Sequence, residues 1–405
     1  MRPGIIRWID KNLGSPVCFL LTLHRRSFDL FKKSPASYQK SSKVLFIKLV
    51  EQGSTVLAYS ALSRACDLVG KDNIYFLVFK ENRPILDILD IVPVGNIIEI
   101  NPHNPLTFIY STLKAISRIR IESIDAVLDL EFFSRTSAII CYLCGATKRV
   151  GLHRFNAESP YRGNLFTHRL IYNPYLHTEL FFSCLVEALN YPPLNSSPMV
   201  FEIPKTVDIE ASFTPTQEER KSITEKVQSL KKVSLGRPLI ILNPKISDLL
   251  PLRKWPEEKF ISLSKMILQE FPQASVIITG SSREKDKSKL MASQIPNAIS
   301  LAGLINLREL LTLYCIADIL VTSDSGPALF STLTPIRSVV LFGPETPFLY
   351  GKVSPKVDNI ASDFVCSPCI NVYNARNSPC LSNSCLRSIK VEDVYKKVKT
   401  LLGQP

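Results

Sequence analysis

The chain has 405 residues, of which 45% are hydrophobic and 21% charged, and its formal net charge is +13. Because this length exceeds what one hydrophobic core usually supports, we expect two domains. The composition is that of a globular protein and excludes an intrinsically disordered chain. The apolar runs, such as 17–21, are far shorter than the ~18 residues of a membrane-spanning helix, and we expect no secretory signal.

Residues 1–41 form a basic, apolar-rich N-terminal segment. Its first 40 residues contain eight Lys or Arg and two Asp, interleaved with Trp, Phe, Leu and Ile. A helix of this composition suits the surface of an anionic bilayer. It equally suits a first helix that packs on the body of the protein and leaves its lysines in water. Nucleic-acid binding is the weaker interpretation, because no recognised nucleic-acid motif accompanies the charge.

Residues 42–215 have the alternating pattern of a parallel β/α domain. Apolar runs predict buried strands at 43–49, 73–79, 96–100 and 125–130. Stretches of helical periodicity separate them, including one from Val56 to Ala65 that closes near Gly70. This β-α-β rhythm is typical of a parallel sheet.

A second domain of the same kind follows a predicted linker region, 216–236, which lies in a Pro- and Ser-rich stretch and contains a helix from Thr216 to Lys232. Within 237–365 the sequence predicts strands at 238–242, 274–279, 317–322 and 337–342, and helices at 257–270 and 306–314. The fold class is therefore α/β, with two Rossmann-like parallel-sheet domains facing a central cleft. In open parallel sheets, ligands bind beyond the carboxyl ends of the strands.

Polar turns follow four predicted strands of the second domain, and we interpret them as one converging site for a ligand with phosphate groups. In the turn 322–327, Gly326 would let backbone N–H groups approach an anion, and Ser325 would cap the helix or donate to phosphate. Arg253 and Lys254 offer cations for a diphosphate, and Glu284 offers a carboxylate for ribose hydroxyls. The alternative is that the Ser-Gly-Pro turn only ends a strand and begins a helix, and that the basic loop is exposed to water and binds nothing. The candidate residues are Asn243, Arg253, Lys254, Glu284, Asp324, Ser325, Gly326, Pro327, Glu345 and Thr346.

These turns resemble the motifs of glycosyltransferase family nine, the heptosyltransferase group of bacterial lipopolysaccharide assembly. The matching positions are 243–244, 254–256, 280 with 284, 301–303, 324–327 and 342–347, with a weaker match at 48–57. The resemblance implies a GT-B architecture with a nucleoside-diphosphate sugar, such as ADP-heptose, held by the second domain. It implies a lipopolysaccharide-type, lipid-linked or polysaccharide acceptor on the first domain. It also implies inversion at the anomeric carbon with no cofactor required for catalysis.

Two positions depart from the family pattern. Characterised heptosyltransferases have an aspartate, the proposed general base, just after the glycine of the first turn, where this chain has Ser54 after Gly53. Many members have a histidine where this chain has Leu329. A serine alone cannot replace a carboxylate base, so Glu51 in the same turn is the candidate base with Ser54 beside it. The alternative is that Glu51 is a solvated turn residue.

His153 and Arg154 follow a predicted strand end at 149–152, and with Gly53 they are candidates for the acceptor side. The alternative is that this histidine is a loop residue without a role in binding.

Ten cysteines in a chain of this length favour reduced thiols in a cytosolic protein over a secreted disulfide framework. Four of them lie in the segment 366–405, which also contains the predicted C-terminal helix, with the spacing C-x2-C-x10-C-x4-C. They are Cys366, Cys369, Cys380 and Cys385. This spacing predicts a structural zinc site of four thiolates, with disulfides or free thiols as the alternative.

The preferred function is sugar transfer by a cytoplasmic enzyme that is peripheral on the inner face of the cytoplasmic membrane. Because of Ser54 and Leu329, a catalytically impaired nucleotide-sugar-binding protein on the same scaffold is an alternative. A nucleotide-sugar epimerase is a further alternative, since some epimerases share the two-domain architecture; it would need acid and base carboxylates in the cleft.

Overall fold

The computed structural model describes residues 3–31, 40–194, 197–205, 212–231, 235–244, 251–352, 354–374 and 376–403. The chain divides into two compact units. The first contains Met1–Glu210 and Val372–Ala375, and the second contains Ala211–Asn371 and Arg376–Pro405. Each unit has its own parallel sheet with helices on it, which confirms the predicted α/β class with Rossmann-like domains.

The sheet of the first unit has the strand order β3-β2-β1-β4-β5-β6 among the described residues, and all neighbouring strands are parallel. The strands are β1 Val44–Ile47, β2 Ile74–Phe79, β3 Ile97–Ile100, β4 Ala126–Asp129, β5 Lys148–Leu152 and β6 His168–Leu170. The four strands predicted from apolar runs are β1 to β4, in which almost every residue is buried.

The helices of the first unit are α1 Pro3–Asn12, α2 Gly14–Phe31, α3 Gln52–Leu57, α4 Tyr59–Val69, α5 Pro84–Leu89, α6 Pro105–Ile121, α7 Arg135–Leu143 and α8 Thr178–Glu187. The predicted single helix near 56–65 is two helices that meet at Ala58, and the second ends at Gly70 as expected. One core cluster joins Leu45 and Leu77 of the sheet to α2, α6 and α7. These three helices therefore cover the same side of the first sheet.

The N-terminal helices α1 and α2 pack on the body of the first unit through one face. Cys18 is fully buried in the core, and Thr22 accepts a hydrogen bond from the Asn164 N–H at 2.8 Å. Asp10 accepts hydrogen bonds from the N–H and hydroxyl of Thr136, both at 2.8 Å. Their other face stays exposed. No helix in the described ranges combines the length and the apolar character needed to cross a bilayer.

The second unit repeats this topology. Its strands are β7 Leu239–Asn243, β8 Ser275–Ile278, β9 Ala298–Ser300, β10 Ile319–Ser323, β11 Arg337–Phe342 and β12 Val357–Ala361, in the order β12-β11-β10-β7-β8-β9. Its helices are α9 Gln217–Lys231, α10 Glu257–Glu270, α11 Lys285–Ala292, α12 Leu307–Ile316, α13 Gly326–Ser331, α14 Pro347–Tyr350, α15 Ser384–Ser388 and α16 Val391–Leu402. The helix of the predicted linker region is α9, which joins the second unit through ion pairs from Glu219 to Arg308 and from Lys226 to Glu309.

In each unit the strands that follow one another in the chain are added first toward one edge of the sheet and then toward the other. This reversal falls between two central strands. These are β1 and β4 in the first sheet, and β7 and β10 in the second. Loops diverge above such a pair and leave a crevice at the carboxyl ends, which is where ligands of open α/β sheets bind. The candidate residues of each unit can therefore be tested against one defined place in the fold.

Candidate functional site

In the first unit a buried lysine lies between two glutamates at the carboxyl ends of β1 and β4. The Lys48 side chain is fully buried, with Nζ 3.2 Å from Glu131 Oε2 and 3.7 Å from Glu51 Oε2. Glu131 also accepts hydrogen bonds from the N–H groups of Leu49 and Val50, at 2.7 and 3.1 Å. Glu131 thereby fixes the start of the turn that carries Glu51.

Glu51 and Ser54, the predicted catalytic pair, are together in this turn. The Ser54 hydroxyl donates to Glu51 Oε2 at 3.1 Å. Glu51 is the residue before α3 and has φ 69°, a left-handed conformation that costs a non-glycine residue about 1 kcal/mol or more. Its side chain is about a quarter exposed, so one carboxylate is held in a constrained turn yet reaches solvent.

Next to this group lies a fully buried ion pair that the sequence did not single out. Arg162 pairs with Asp129, the last residue of β4, and neither side chain is exposed. Asp129 also accepts a hydrogen bond from the Ser137 hydroxyl at 3.0 Å. Burial raises the pKa of Asp129, and the Arg162 guanidinium opposes that rise. The available signal was an aspartate that interrupts the apolar run of a predicted strand.

The acceptor-side candidates are in different environments. Gly53 is buried inside α3. Burial, helped by Arg169 and Arg162, lowers the pKa of His153 to about 4, so its imidazole is neutral near pH 7. Arg154 donates from Nε to the Asn156 carbonyl at 2.6 Å, within its own loop. A neutral histidine can accept or donate a hydrogen bond to an acceptor sugar, but it supplies no positive charge.

In the second unit an arginine lies between two carboxylates at the carboxyl ends of its strands. Arg253 Nη1 is 3.0 Å from Asp324 Oδ2, and its Nη2 donates to Glu345 Oε1 at 2.7 Å. Asp324 follows β10 and Glu345 follows β11, and both are buried. Three residues predicted from separate turns are therefore in direct contact. Arg376, which the sequence did not indicate, lies close enough to lower the pKa of Glu345.

The Ser-Gly-Pro turn differs from the expectation in its hydrogen bonds. Ser325 does not cap α13, because its hydroxyl donates back to the Ser323 carbonyl at 2.8 Å. A Cβ on Gly326 would lie 3.2 Å from the ring of Phe330, so packing explains this glycine as well as anion approach does. Pro327 is the second residue of α13.

The remaining donor candidates make local contacts. Asn243 is buried and donates to the Thr279 carbonyl at 3.2 Å, which links the ends of β7 and β8. Glu284 accepts from the Ser281 N–H at 2.8 Å and closes a capping box. Thr346 caps α14 by accepting from the Phe348 N–H at 3.3 Å. Lys254 is exposed and makes no ion pair with a described residue, so its ammonium can meet an anionic ligand.

Burial raises the pKa of Cys385, and Cys369, Cys380 and Cys366 add to that rise, so the four C-terminal cysteines lie near one another. Cys366 is exposed, Cys385 is buried, and none of the four is in a disulfide with a described residue. In the described ranges, no group of three or more His, Cys, Asp or Glu side chains is placed to hold a metal ion. Zinc binding stays a prediction, and metal analysis of the purified protein tests it. The segment instead packs on the turn after β11, where the N–H groups of Cys369 and Ile370 donate to the Pro344 carbonyl.

The chain matches the family model for glycosyltransferase family 9 (heptosyltransferase) over residues 112–378. Lipopolysaccharide heptosyltransferase 1 of Campylobacter coli is 21% identical over 80% of this chain and 86% of that protein. Lipooligosaccharide heptosyltransferase 2 of Campylobacter jejuni (strain 81116) is 25% identical over 186 residues. That match covers 42% of this chain, and the chain spans about half (56%) of the length of that relative.

Solved structures of heptosyltransferases have the same fold. The E. coli ADP-heptose LPS heptosyltransferase II matches with a TM-score of 0.65 and 17% identity, over 89% of this chain and 98% of that chain. The E. coli heptosyltransferase WaaC with ADP-2-deoxy-2-fluoro heptose matches with a TM-score of 0.61 and 13% identity, over 88% and 99%. These likenesses confirm the predicted GT-B fold class.

Proposed function

Because the chain belongs to glycosyltransferase family 9 (heptosyltransferase), we propose that it transfers a sugar from a nucleoside diphosphate to a saccharide. The observation that carries this proposal is the family match over 112–378, which includes Arg253, Asp324 and Glu345. Solved relatives bind ADP or an ADP-heptose analogue, so ADP-heptose is the first donor to test. The acceptor is a lipopolysaccharide-type, lipid-linked or polysaccharide chain.

The second unit holds the donor in this proposal. Arg253 and Lys254 approach the diphosphate, and a guanidinium suits it because its planar fork forms two parallel hydrogen bonds to phosphate oxygens. The half-buried Glu284 accepts from the ribose hydroxyls. These cations stabilise the departing nucleoside diphosphate, a task that a metal ion performs in other transferases. Transfer then inverts the anomeric carbon and continues in the presence of EDTA.

Glu51 is the general base in this proposal. Attack on the anomeric carbon requires an acceptor hydroxyl to lose its proton, and a carboxylate within hydrogen-bond reach performs this step. Two observations support the assignment of Glu51 as the base. Its side chain is partly exposed, and the hydrogen bond from Ser54 orients its carboxylate. The family match begins at residue 112, so this assignment rests on the geometry of the turn.

An anionic membrane is the surface that brings the enzyme to its acceptor in this proposal. We call the exposed large apolar side chains of α1, α2 and α6, with the residue between α1 and α2, the outer apolar face: Trp8, Leu13, Val17, Phe19, Leu20, Leu23, Phe28, Leu106, Ile109, Tyr110, Leu113 and Ile121. Lys11, Arg26 and Lys114 are exposed on the same helices. Apolar side chains with basic neighbours favour the headgroup region of anionic lipid on the inner face of the cytoplasmic membrane.

The test of the proposed function is a screen of purified protein with ADP-heptose and other nucleotide sugars, together with membrane extract. We expect release of a nucleoside diphosphate and a product with inverted configuration. Arg253→Ala should weaken donor binding about tenfold or more, since it removes charge-assisted hydrogen bonds. Glu51→Gln should lower turnover at unchanged donor affinity. The matched control is Glu258→Gln, an exposed glutamate of α10.

Two other outcomes would favour the alternative functions. Nucleotide binding without turnover, unchanged by Glu51→Gln, would identify a binding protein on the same scaffold, as Ser54 and Leu329 suggest. Conversion of the nucleotide sugar to its epimer, with no acceptor present, would identify an epimerase. Absence of nucleotide release or binding with every donor would overturn the proposed function.

A further inference from the structure

The group of Arg253, Asp324 and Glu345 has one more acid than base. The Glu345 residue is only 2% exposed and Asp324 only 6%. Glu345 Oε1 accepts from Arg253, whereas Glu345 Oε2 is buried without a hydrogen-bond partner among the described residues. A buried carboxylate oxygen without a donor is destabilising, and more so when the carboxylate is charged. The arrangement therefore holds one carboxylate close to its neutral form.

The charged groups around Glu345 act in both directions. The pKa of Glu345 is raised to about 7 in total: burial raises it most, the Asp324 carboxylate also raises it, and the guanidinium groups of Arg253 and Arg376 lower it. Arg253 comes from the turn before α10, Asp324 from the end of β10 and Arg376 from the C-terminal segment. Removing one guanidinium from this balance would shift Glu345 to the protonated form.

We propose that Glu345 is a positioning residue of the donor site: it holds Arg253 before the donor binds, releases it to the diphosphate, and takes up a proton from solvent on release. This inference rests on the proposed donor site. When Arg253 Nη2 turns from Glu345 Oε1 to a phosphate oxygen, Glu345 loses a cation and gains an anion as neighbour. Both changes favour the neutral carboxyl, so a solvent proton binds to Oε2 and offsets one negative charge of the diphosphate.

The geometry indicates which of the two carboxylates releases Arg253: Glu345 does so, and Asp324 keeps its contact. Arg253 Nη1 donates to the backbone carbonyl of Asp324 at 3.3 Å and faces the carboxylate of the same residue. This double contact fixes one edge of the guanidinium to the end of β10. The other edge, Nη2, faces Glu345 and is the edge that can turn toward a ligand.

The experiment is calorimetric titration of the full chain with ADP, UDP and GDP at pH 8, in buffers of different ionisation enthalpy. At this pH the phosphates are fully ionised, because their second pKa is about 6, so proton uptake belongs to the protein. We expect uptake of up to about one proton per bound nucleotide. We also expect affinity to fall by up to about tenfold per pH unit between pH 7.5 and 9.

Glu345→Gln should abolish the proton uptake and flatten this pH profile, whereas the exposed control Glu258→Gln should keep both. Nucleotide binding by the native chain without proton uptake would overturn this inference and leave the proposed function intact. Equal uptake in Glu345→Gln would also overturn it. If Glu345→Gln fails to fold by circular dichroism, the native titration still decides. If none of the three nucleotides binds at any pH, the donor site itself is wrong.

Discussion

At the scale of single residues, each unit has one cation between two carboxylates. The three side chains lie at the carboxyl end of the sheet, beside the two central strands between which its strand order reverses. Lys48 lies between Glu51 and Glu131 in the first unit. Arg253 lies between Asp324 and Glu345 in the second. Each group has an excess of one negative charge when all its members are ionised. In the second unit, this is the group that we propose exchanges a protein carboxylate for the diphosphate.

Lys48→Met tests the first of these groups. The substitution leaves two carboxylates without their shared cation, and breaking a buried ion pair from one side costs about 3–5 kcal/mol. We expect the free energy of unfolding of the first unit to fall by about 3 kcal/mol, and Glu131→Gln added to Lys48→Met to restore part of it. Chemical unfolding followed by circular dichroism measures this, with Lys114→Met on the exposed side of α6 as control. Equal stability of the two lysine variants would contradict the prediction.

His168 makes the first unit sensitive to acid. It is 1% exposed and its Nε2 is 3.0 Å from the Tyr191 carbonyl. Burial lowers its pKa from 6.5 to about 4, and Lys148 and Arg149 add to this. The unfolded chain therefore binds this proton first. Stability is fully present above pH 6.5 and is lost as the pH falls toward 4, by about 3 kcal/mol.

The measurement is the unfolding free energy between pH 7 and 4. His168→Gln should remove this decrease of the unfolding free energy at low pH. A change in stability that is the same at every pH would not affect this result. His103→Gln, at an exposed position, should leave the slope unchanged. A slope that is the same in all three proteins would show that His168 is protonated in the folded unit.

At the scale of elements, one glycine decides how the N-terminal helices attach. Gly163 has φ +67°, and a Cβ there would lie 2.5 Å from Thr22 Oγ1 and 2.6 Å from the Cys18 carbonyl. Both contacts belong to α2. Close approach of α2 to the first unit therefore depends on the absence of a side chain at 163, and a left-handed backbone favours glycine there as well.

Gly163→Ala should detach α2 from the first unit. The clash and the unfavourable φ together cost about 2–4 kcal/mol. We expect faster tryptic cleavage after Arg25 and Arg26 and a lower melting temperature. Gly95→Ala is the matched control, because a Cβ at 95 meets no atom within 4 Å. If cleavage is equally fast in both variants, Gly163 does not hold the helix.

The central strands and the edge strand β3 could be predicted, whereas the other three edge strands could not. β1, β2, β7 and β10 are buried along their whole length, so their sequences are mostly apolar. The edge strands β6, β9 and β12 have only three to five residues. β9 and β12 are partly exposed, and β6 buries His168 and Arg169, so none of the three has an apolar run.

The candidate site was predictable in its membership but not in its contacts. The turn motifs identified Arg253, Asp324 and Glu345, because each follows or precedes a recognisable element. Their ion pairs depend on the order of strands in space, which brings together residues 92 positions apart. Lys48 and Glu131 were missed for the same reason, since nothing local in the sequence links a lysine to a glutamate 83 positions away.

At the scale of the whole molecule, the net charge of +13 is unevenly distributed. The sequence of α6 contains three basic residues and no acid, and α6 covers the same side of the first sheet as α2. α6 buries Ala115, Ile116 and Ile119 on its inner side, while its opposite side belongs to the outer apolar face. A helix that is apolar on both sides favours a second apolar environment, and in the proposed function an anionic bilayer supplies it with matching charge.

The prediction is that the full chain binds vesicles that contain anionic lipid and binds neutral vesicles at least tenfold more weakly. Each basic residue near the surface contributes about 1 kcal/mol, and salt screens this contribution. Flotation should therefore decrease when NaCl is raised from about 0.1 to 0.5 M. Trp8 is 60% exposed and Trp255 is 1% exposed, so a blue shift of the emission on binding would report Trp8 entering the headgroup region.

Two comparisons distinguish binding through the outer apolar face from nonspecific attraction between the positive chain and anionic lipid. A chain that begins at Ser41 should lose most of the binding, and the double variant Leu106→Glu, Leu113→Glu should lose a similar part because it places acids on the outer apolar face. Leu290→Glu, on an exposed position of α11 in the second unit, should bind like the native chain. If the α6 variant floats as well as Leu290→Glu, α6 does not contact lipid. If neither Ser41 truncation nor salt changes flotation, the positive charge has no role in membrane binding.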